Sequence, residues 1–162
     1  MLYSALLSLL LLAAPPSSND AGSTYANERY GYTLEVPAGL TGQGESDNGD
    51  GQVFQDASGQ VRLKVWASPV VDLDGTPEGR MDLAWARRES LARWKKEGLR
   101  VTYQPKGKGW WVLSGEDTKG RVFYLKELEK DGVLYGFEWS HPKGARSWQD
   151  ATAGIAKGFK LP

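Results

Sequence analysis

The chain has 162 residues, which as a length prior means one domain. Its 20 Lys and Arg balance 20 Asp and Glu, it has no Cys, and its one His is His141. These counts exclude disulfide frameworks, thiol nucleophiles, Cys-ligated zinc and multi-His metal sites, and they leave no overall basic footprint for nucleic acid.

The uncharged apolar run from Ala5 to Ala14 has the length of a signal-peptide core and falls short of the roughly 20 residues that cross a bilayer. Pro15-Pro16-Ser17-Ser18 and the small residues up to Ser23 follow it as a polar tether. Residues 1–23 therefore read as an export leader and tether, and residues 24–162 as a single domain in the periplasm, cell envelope or medium. No membrane span is expected once the leader is cleaved.

Tyr30 to Val36 alternates apolar and polar residues and stops at Pro37, as a first strand does. After a Gly/Asp-rich loop, Gln52–Gln55 and Gln60–Trp66 flank the turn residues Asp56-Ala57-Ser58-Gly59, which predicts a hairpin. Val61, Leu63 and Val65 share one face of its second arm, and Arg62, Lys64 and Trp66 the other. The polar face places this arm towards a sheet edge. Thr76-Pro77-Glu78 has the cap, first-turn proline and acid of a helix start, and apolar positions at helical spacing carry that helix to Glu97, before Gly98. Leu99–Tyr103, Trp110–Ser114, Arg121–Glu127 and Val133–Trp139 then predict a four-strand antiparallel meander. Two of these strands hold continuous apolar runs, so both sheet faces need cover. The Pro77–Glu97 helix and a second helix over Ala145–Ile155 supply it. The expected fold class is α+β, an antiparallel sheet sandwiched by helices.

Three segments, Tyr25-Ala26-Asn27-Glu28-Arg29-Tyr30-Gly31-Tyr32-Thr33-Leu34-Glu35-Val36-Pro37, Asp47-Asn48-Gly49-Asp50-Gly51 and Ile155-Ala156-Lys157-Gly158-Phe159, resemble the PsbP/Mog1-like group, more closely its small exported bacterial members. The resemblance covers most of residues 25 to 160. It implies an α/β/α sandwich and an accessory or partner-binding role, and it carries over no catalytic residue.

Candidate sites are few. In Ser46–Ala57, Asn48, Asp50 and Gly51 occupy positions three, five and six of a calcium loop, but Ser46 and Ala57 stand where that loop needs acids. A tight Asx/Gly turn is favoured over a weak calcium site at Asn48 and Asp50. No cofactor is expected. His141 lacks a nucleophile elbow to serve and reads as a surface-loop residue. Glu127 and Glu129 share a strand face beside Lys126 and Lys130 and read as solvated carboxylates of similar pKa. Trp66, Trp110, Trp111, Arg87 and Arg88 are the expected binding residues, because Trp buries large rigid area with a polar handle and the Arg lie in a locally basic helix. The leading expectation is a non-enzymatic exported accessory or binding domain whose partner is an envelope protein or cell-wall component. A hydrolase built from Asp47, Asp50, Glu127, Glu129 and His141, and a wall-associated structural protein, are the alternatives.

Overall fold

The computed structural model describes residues 22–162. The apolar run expected to be the leader lies outside them. Ser23, the last residue of the expected tether, opens the first strand. Twelve strands and two helices follow in the order β1 (Ser23–Ala26), β2 (Thr33–Val36), β3 (Thr41–Glu45), β4 (Gly51–Gln55), β5 (Arg62–Pro69), β6 (Val71–Asp72), β7 (Arg80–Met81), α1 (Leu83–Lys96), β8 (Arg100–Tyr103), β9 (Lys106–Gly107), β10 (Trp110–Glu116), β11 (Arg121–Lys130), β12 (Val133–Pro142) and α2 (Arg146–Gly158).

One antiparallel sheet organises the molecule, in the order β3-β4-β5-β12-β11-β10-β8, with β9 also paired to β10. The predicted meander forms its second half. On one face, Leu63 and Val65 of β5 and Tyr135, Phe137 and Trp139 of β12 pack with Leu34 and Val36 of the small β1–β2 sheet and with Ile155 of α2. On the other face, Trp111 and Leu113 of β10, Leu125 of β11 and Leu134 of β12 pack against Ala86 and Trp94 of α1. Burial of this many large side chains is the main force closing the layers. The expected α+β class with helix on both sides of an antiparallel sheet is the observed one.

Four local expectations need correction. The first helix begins at Leu83 and not at Pro77: Asp82 Oδ1 accepts the backbone N–H groups of Ala84 (2.9 Å) and Trp85 (3.0 Å) and is the true N-cap. Thr76 is held in a turn by Asp74, which accepts both its N–H and its hydroxyl, between β6 and β7. β5 is not near an edge, since β4 and β12 pair on either side of it. Its outer face is wet because α1 packs over β8 and β11, leaving Arg62 and Lys64 exposed on the uncovered half of the sheet. His141 is no loop residue: it pairs with Val122 inside β12 and is 2% exposed. Glu127 is not solvated either, being 5% exposed beneath α1.

Candidate functional site

The N-terminal turn of α1 is pinned to the sheet from two strands. The Trp111 indole N–H donates to the Leu83 carbonyl (3.0 Å), and Glu129 Oε2 accepts the Leu83 backbone N–H (3.3 Å). One turn further along the helix come Arg87 and Arg88. Opposite them, the β9–β10 hairpin turns at Gly109, whose φ of 77° favours glycine. The Trp110 ring lies so close over Gly107 that an added Cβ there would meet its indole nitrogen at 2.4 Å. The result is a groove of about 650 Å³, within the size range of ligand pockets, with Arg87, Arg88, Lys106, Lys108, Trp110 and Trp111 among its walls.

The charges of this groove are unevenly spent. Asp82 caps the helix and Glu129 holds Leu83, so two of its three acids are engaged with backbone, leaving Asp131. Arg87 donates to the Gln104 side chain (2.8 Å), while its buried Nε has no partner among the described residues. Among the described residues, none of Arg87, Arg88, Lys106 and Lys108 forms an ion pair. Four cations beside a Trp shelf suit an anionic ligand that also carries an apolar group.

Of the five expected binding residues, the fold thus gathers Arg87, Arg88, Trp110 and Trp111 into one groove. Trp66 lies elsewhere, bordering a separate hollow of about 290 Å³ on the uncovered half of the sheet, where Lys64 Nζ stands 5.4 Å from its ring centre. Lys106 and Lys108 do not stand out in the sequence, because their Pro-Lys-Gly-Lys-Gly segment reads as a connector. The signal available was two Lys immediately before a Trp pair.

A second feature lies under the helix. Strand register aligns Trp111, Glu127, Gly136 and Trp66 in one row across β10, β11, β12 and β5. Gly136 is required here, because a Cβ would stand 2.6 Å from the Trp66 ring and 2.9 Å from Glu127 Cγ. The Trp66 ring and the Glu127 stem therefore fill the space above this glycine. Burial pushes the Glu127 carboxyl up to about 7. The Trp66 indole and the Arg93 guanidinium work in the opposite direction, and Glu138 adds to the rise. Arg93 itself bonds Glu138 at 2.6 Å. Among the described residues, Glu127 Oε2 has no hydrogen-bond partner.

The remaining candidates do not converge with it. His141 continues the opposite face of β12, its ring centre 5.7 Å from that of Trp139. Asp47 and Asp50 lie in the β3–β4 loop. Both Asp50 carboxylate oxygens are engaged there, Oδ1 by the Ser46 hydroxyl (2.7 Å) and Oδ2 by the Asn48 amide (2.8 Å). The Asn48 carbonyl accepts from Arg29. The loop is a cross-linked turn, and among the described residues no three His, Asp or Glu side chains gather as a metal cluster would. No described helix is long and apolar enough to cross a membrane.

No protein-family model matches the sequence, and no curated protein matches it. A solved structure does: the solution structure of cyanobacterial PsbP (CyanoP) from Synechocystis sp. PCC 6803 aligns over 94% of this chain and 99% of its own, with a TM-score of 0.58 at 16% identity. The chain has a PsbP-like fold. Two of the segments that carried the resemblance in sequence touch within it, through Asn27 and Gly49, and their role in this PsbP-like domain is architectural. Asn27 Nδ2 donates to the Gly49 carbonyl (3.0 Å) and to the Tyr25 hydroxyl (3.1 Å), while its Oδ1 accepts the Tyr30 N–H (2.8 Å).

Proposed function

We propose that this protein is a non-enzymatic accessory domain, exported to the cell envelope, that holds an acidic segment of an envelope protein in the groove between α1 and the β9–β10 hairpin. In this reading residues 1–23 are the leader and residues 24–162 the working domain. One observation carries it: four cations without ion pairs surround a Trp shelf, while two neighbouring acids are engaged with backbone. Complementary charge steers and registers such a partner, and an aromatic or aliphatic side chain resting on Trp110 supplies the buried anchor. The separation of Glu127, His141 and Asp50 onto different parts of the molecule counts against a hydrolase assembled from them.

The test is fluorescence anisotropy with a labelled acidic peptide carrying one Phe. Saturable binding is expected, weakened by salt and lowered about tenfold or more by the double replacement Arg87→Glu and Arg88→Glu, with Arg62→Glu, exposed on the uncovered half of the sheet, neutral. No binding, or binding indifferent to the Arg replacements, overturns the assignment. Full displacement by an anionic wall polymer at far lower concentration would transfer the groove to the wall-associated reading.

A further inference from the structure

Glu127 is the group that the docking role leaves unexplained. It is buried, one of its oxygens has no partner among the described residues, and it stands beside Trp111 in the strand register. Trp111 holds the Leu83 carbonyl, and Glu129, on the same face of the same strand, holds the Leu83 N–H. Glu127 therefore neighbours, on the covered face of the sheet, the two residues whose bonds seat the first turn of α1, and that turn leads into the wall carrying Arg87 and Arg88.

We infer that Glu127 is a proton-controlled latch on the groove: protonated, it fits its apolar seat and α1 stays pinned; ionised, it loosens the first turn of α1 and with it the docking wall. A neutral carboxyl is tolerated between Trp66, Trp111 and Gly136, whereas a carboxylate there needs more donors than the Trp66 indole, and among the described residues its Oε2 has none. The charged groups facing it are Arg93 of α1 and Glu138 of β12, and these are bonded to each other. From β5, Lys64 stands over the Trp66 ring, and β10 contributes Trp111, which is uncharged. Relief of the ionised state must therefore come from drawing Arg93 off Glu138, or from water entering as α1 shifts, and either change disturbs the helix. His141 lies on the other side of the sheet and takes no part. Burial raises the carboxyl to about 7, so the latch works across neutral pH.

The latch rests on the docking reading for its consequence but not for its mechanism, and two measurements separate them. In the first, the same acidic peptide is titrated at pH 6 and pH 8, a range over which its own carboxylates stay ionised. Wild-type affinity is expected to fall about tenfold between the two, within the usual span of coupled sites. Glu127→Gln, neutral at both, is expected to bind equally tightly throughout. In the second, amide hydrogen exchange in the first turn of α1 is compared at matched pH between wild type, Glu127→Gln and the apolar Glu127→Met. Faster wild-type exchange at pH 8 and equal exchange at pH 6 support the latch. Equal exchange at both pH values, or a Glu127→Gln protein with wild-type pH dependence of binding, overturns it. If no variant binds the peptide, the docking reading fails, and the exchange comparison still decides the latch.

Discussion

Two buried polar side chains divide this molecule between architecture and response. Asn27 is 3% exposed and Glu127 is 5% exposed, so both have left water. Asn27 answers with three hydrogen bonds that tie β1, the following turn and the β3–β4 loop together. Glu127 answers with a carboxyl pushed up to about 7 and an oxygen that bonds nothing. A buried polar group that is satisfied rigidifies its surroundings, whereas one that is not keeps free energy in play that a proton can release. The contrast explains why the Asn27 region reads as a fold signature and the Glu127 region as a place where something is controlled.

Removing Asn27 should produce the largest effect. Asn27→Ala leaves the Gly49 carbonyl, the Tyr25 hydroxyl and the Tyr30 N–H without their partner, and the expected loss is about 4 kcal/mol from unmet hydrogen bonds. Chemical denaturation checks it, and the loss should be the same at pH 5 and pH 8, since no proton is involved. A loss below about 1 kcal/mol would mean that water replaces the amide and that the clamp is not structural.

Next in size is the pH dependence of the wild type. The folded-state value of Glu127, about 7, lies above its ordinary 4.5, so between these pH values the folded chain holds more of this proton than the unfolded chain. Its contribution is complete below about pH 4.5, falls as pH rises to about 7 and is flat beyond, by about 3 kcal/mol in all. The salt-bridged Glu116, which Lys143 and Arg100 hold below the ordinary carboxylate range, acts with the opposite sign and only in acid. Denaturation midpoints from pH 5 to 8 should therefore decline in wild type and stay level in Glu127→Gln. A wild-type profile that is level as well would remove the distinction between the two buried groups.

Much of this was legible in the sequence, and the failures share a cause. Alternation placed Leu63 and Val65 inward and Arg62 and Lys64 outward correctly, but it reports whether a face is covered and not whether a flank is paired. Half-cover by α1 therefore gives the same alternation as an edge. Thr76-Pro77 looks like a helix start, but Asp74 holds Thr76 in a turn and Asp82 caps the helix instead. Glu127 and Glu129 were placed on one face, as found. The burial of the first comes from Trp66 and Gly136, which only strand register brings beside it. Arg87, Arg88, Trp110 and Trp111 were each singled out on local grounds, and their meeting in one groove depends on where α1 lands.

The smallest effect is the sharpest test of what holds Glu127 where it is. Arg93→Met removes two partly exposed ion pairs, with Glu138 and with Glu97, and such pairs contribute at most about 1 kcal/mol each, so stability at pH 5 should change little. Arg93 is also the cation that holds the Glu127 carboxyl down, while Glu138 pushes it up. Without Arg93 the Glu138 repulsion has no opposing charge and only the Trp66 indole still favours the carboxylate, so the decline of stability with pH should move to higher pH, as should the carboxyl carbon shift of labelled Glu127 followed by NMR. Were the midpoint to move lower, Arg93 would be serving Glu138 and Glu97 and not Glu127. Glu127 would then owe its setting to Trp66, Trp111 and Gly136, with the helix above it a lid and not a counterion.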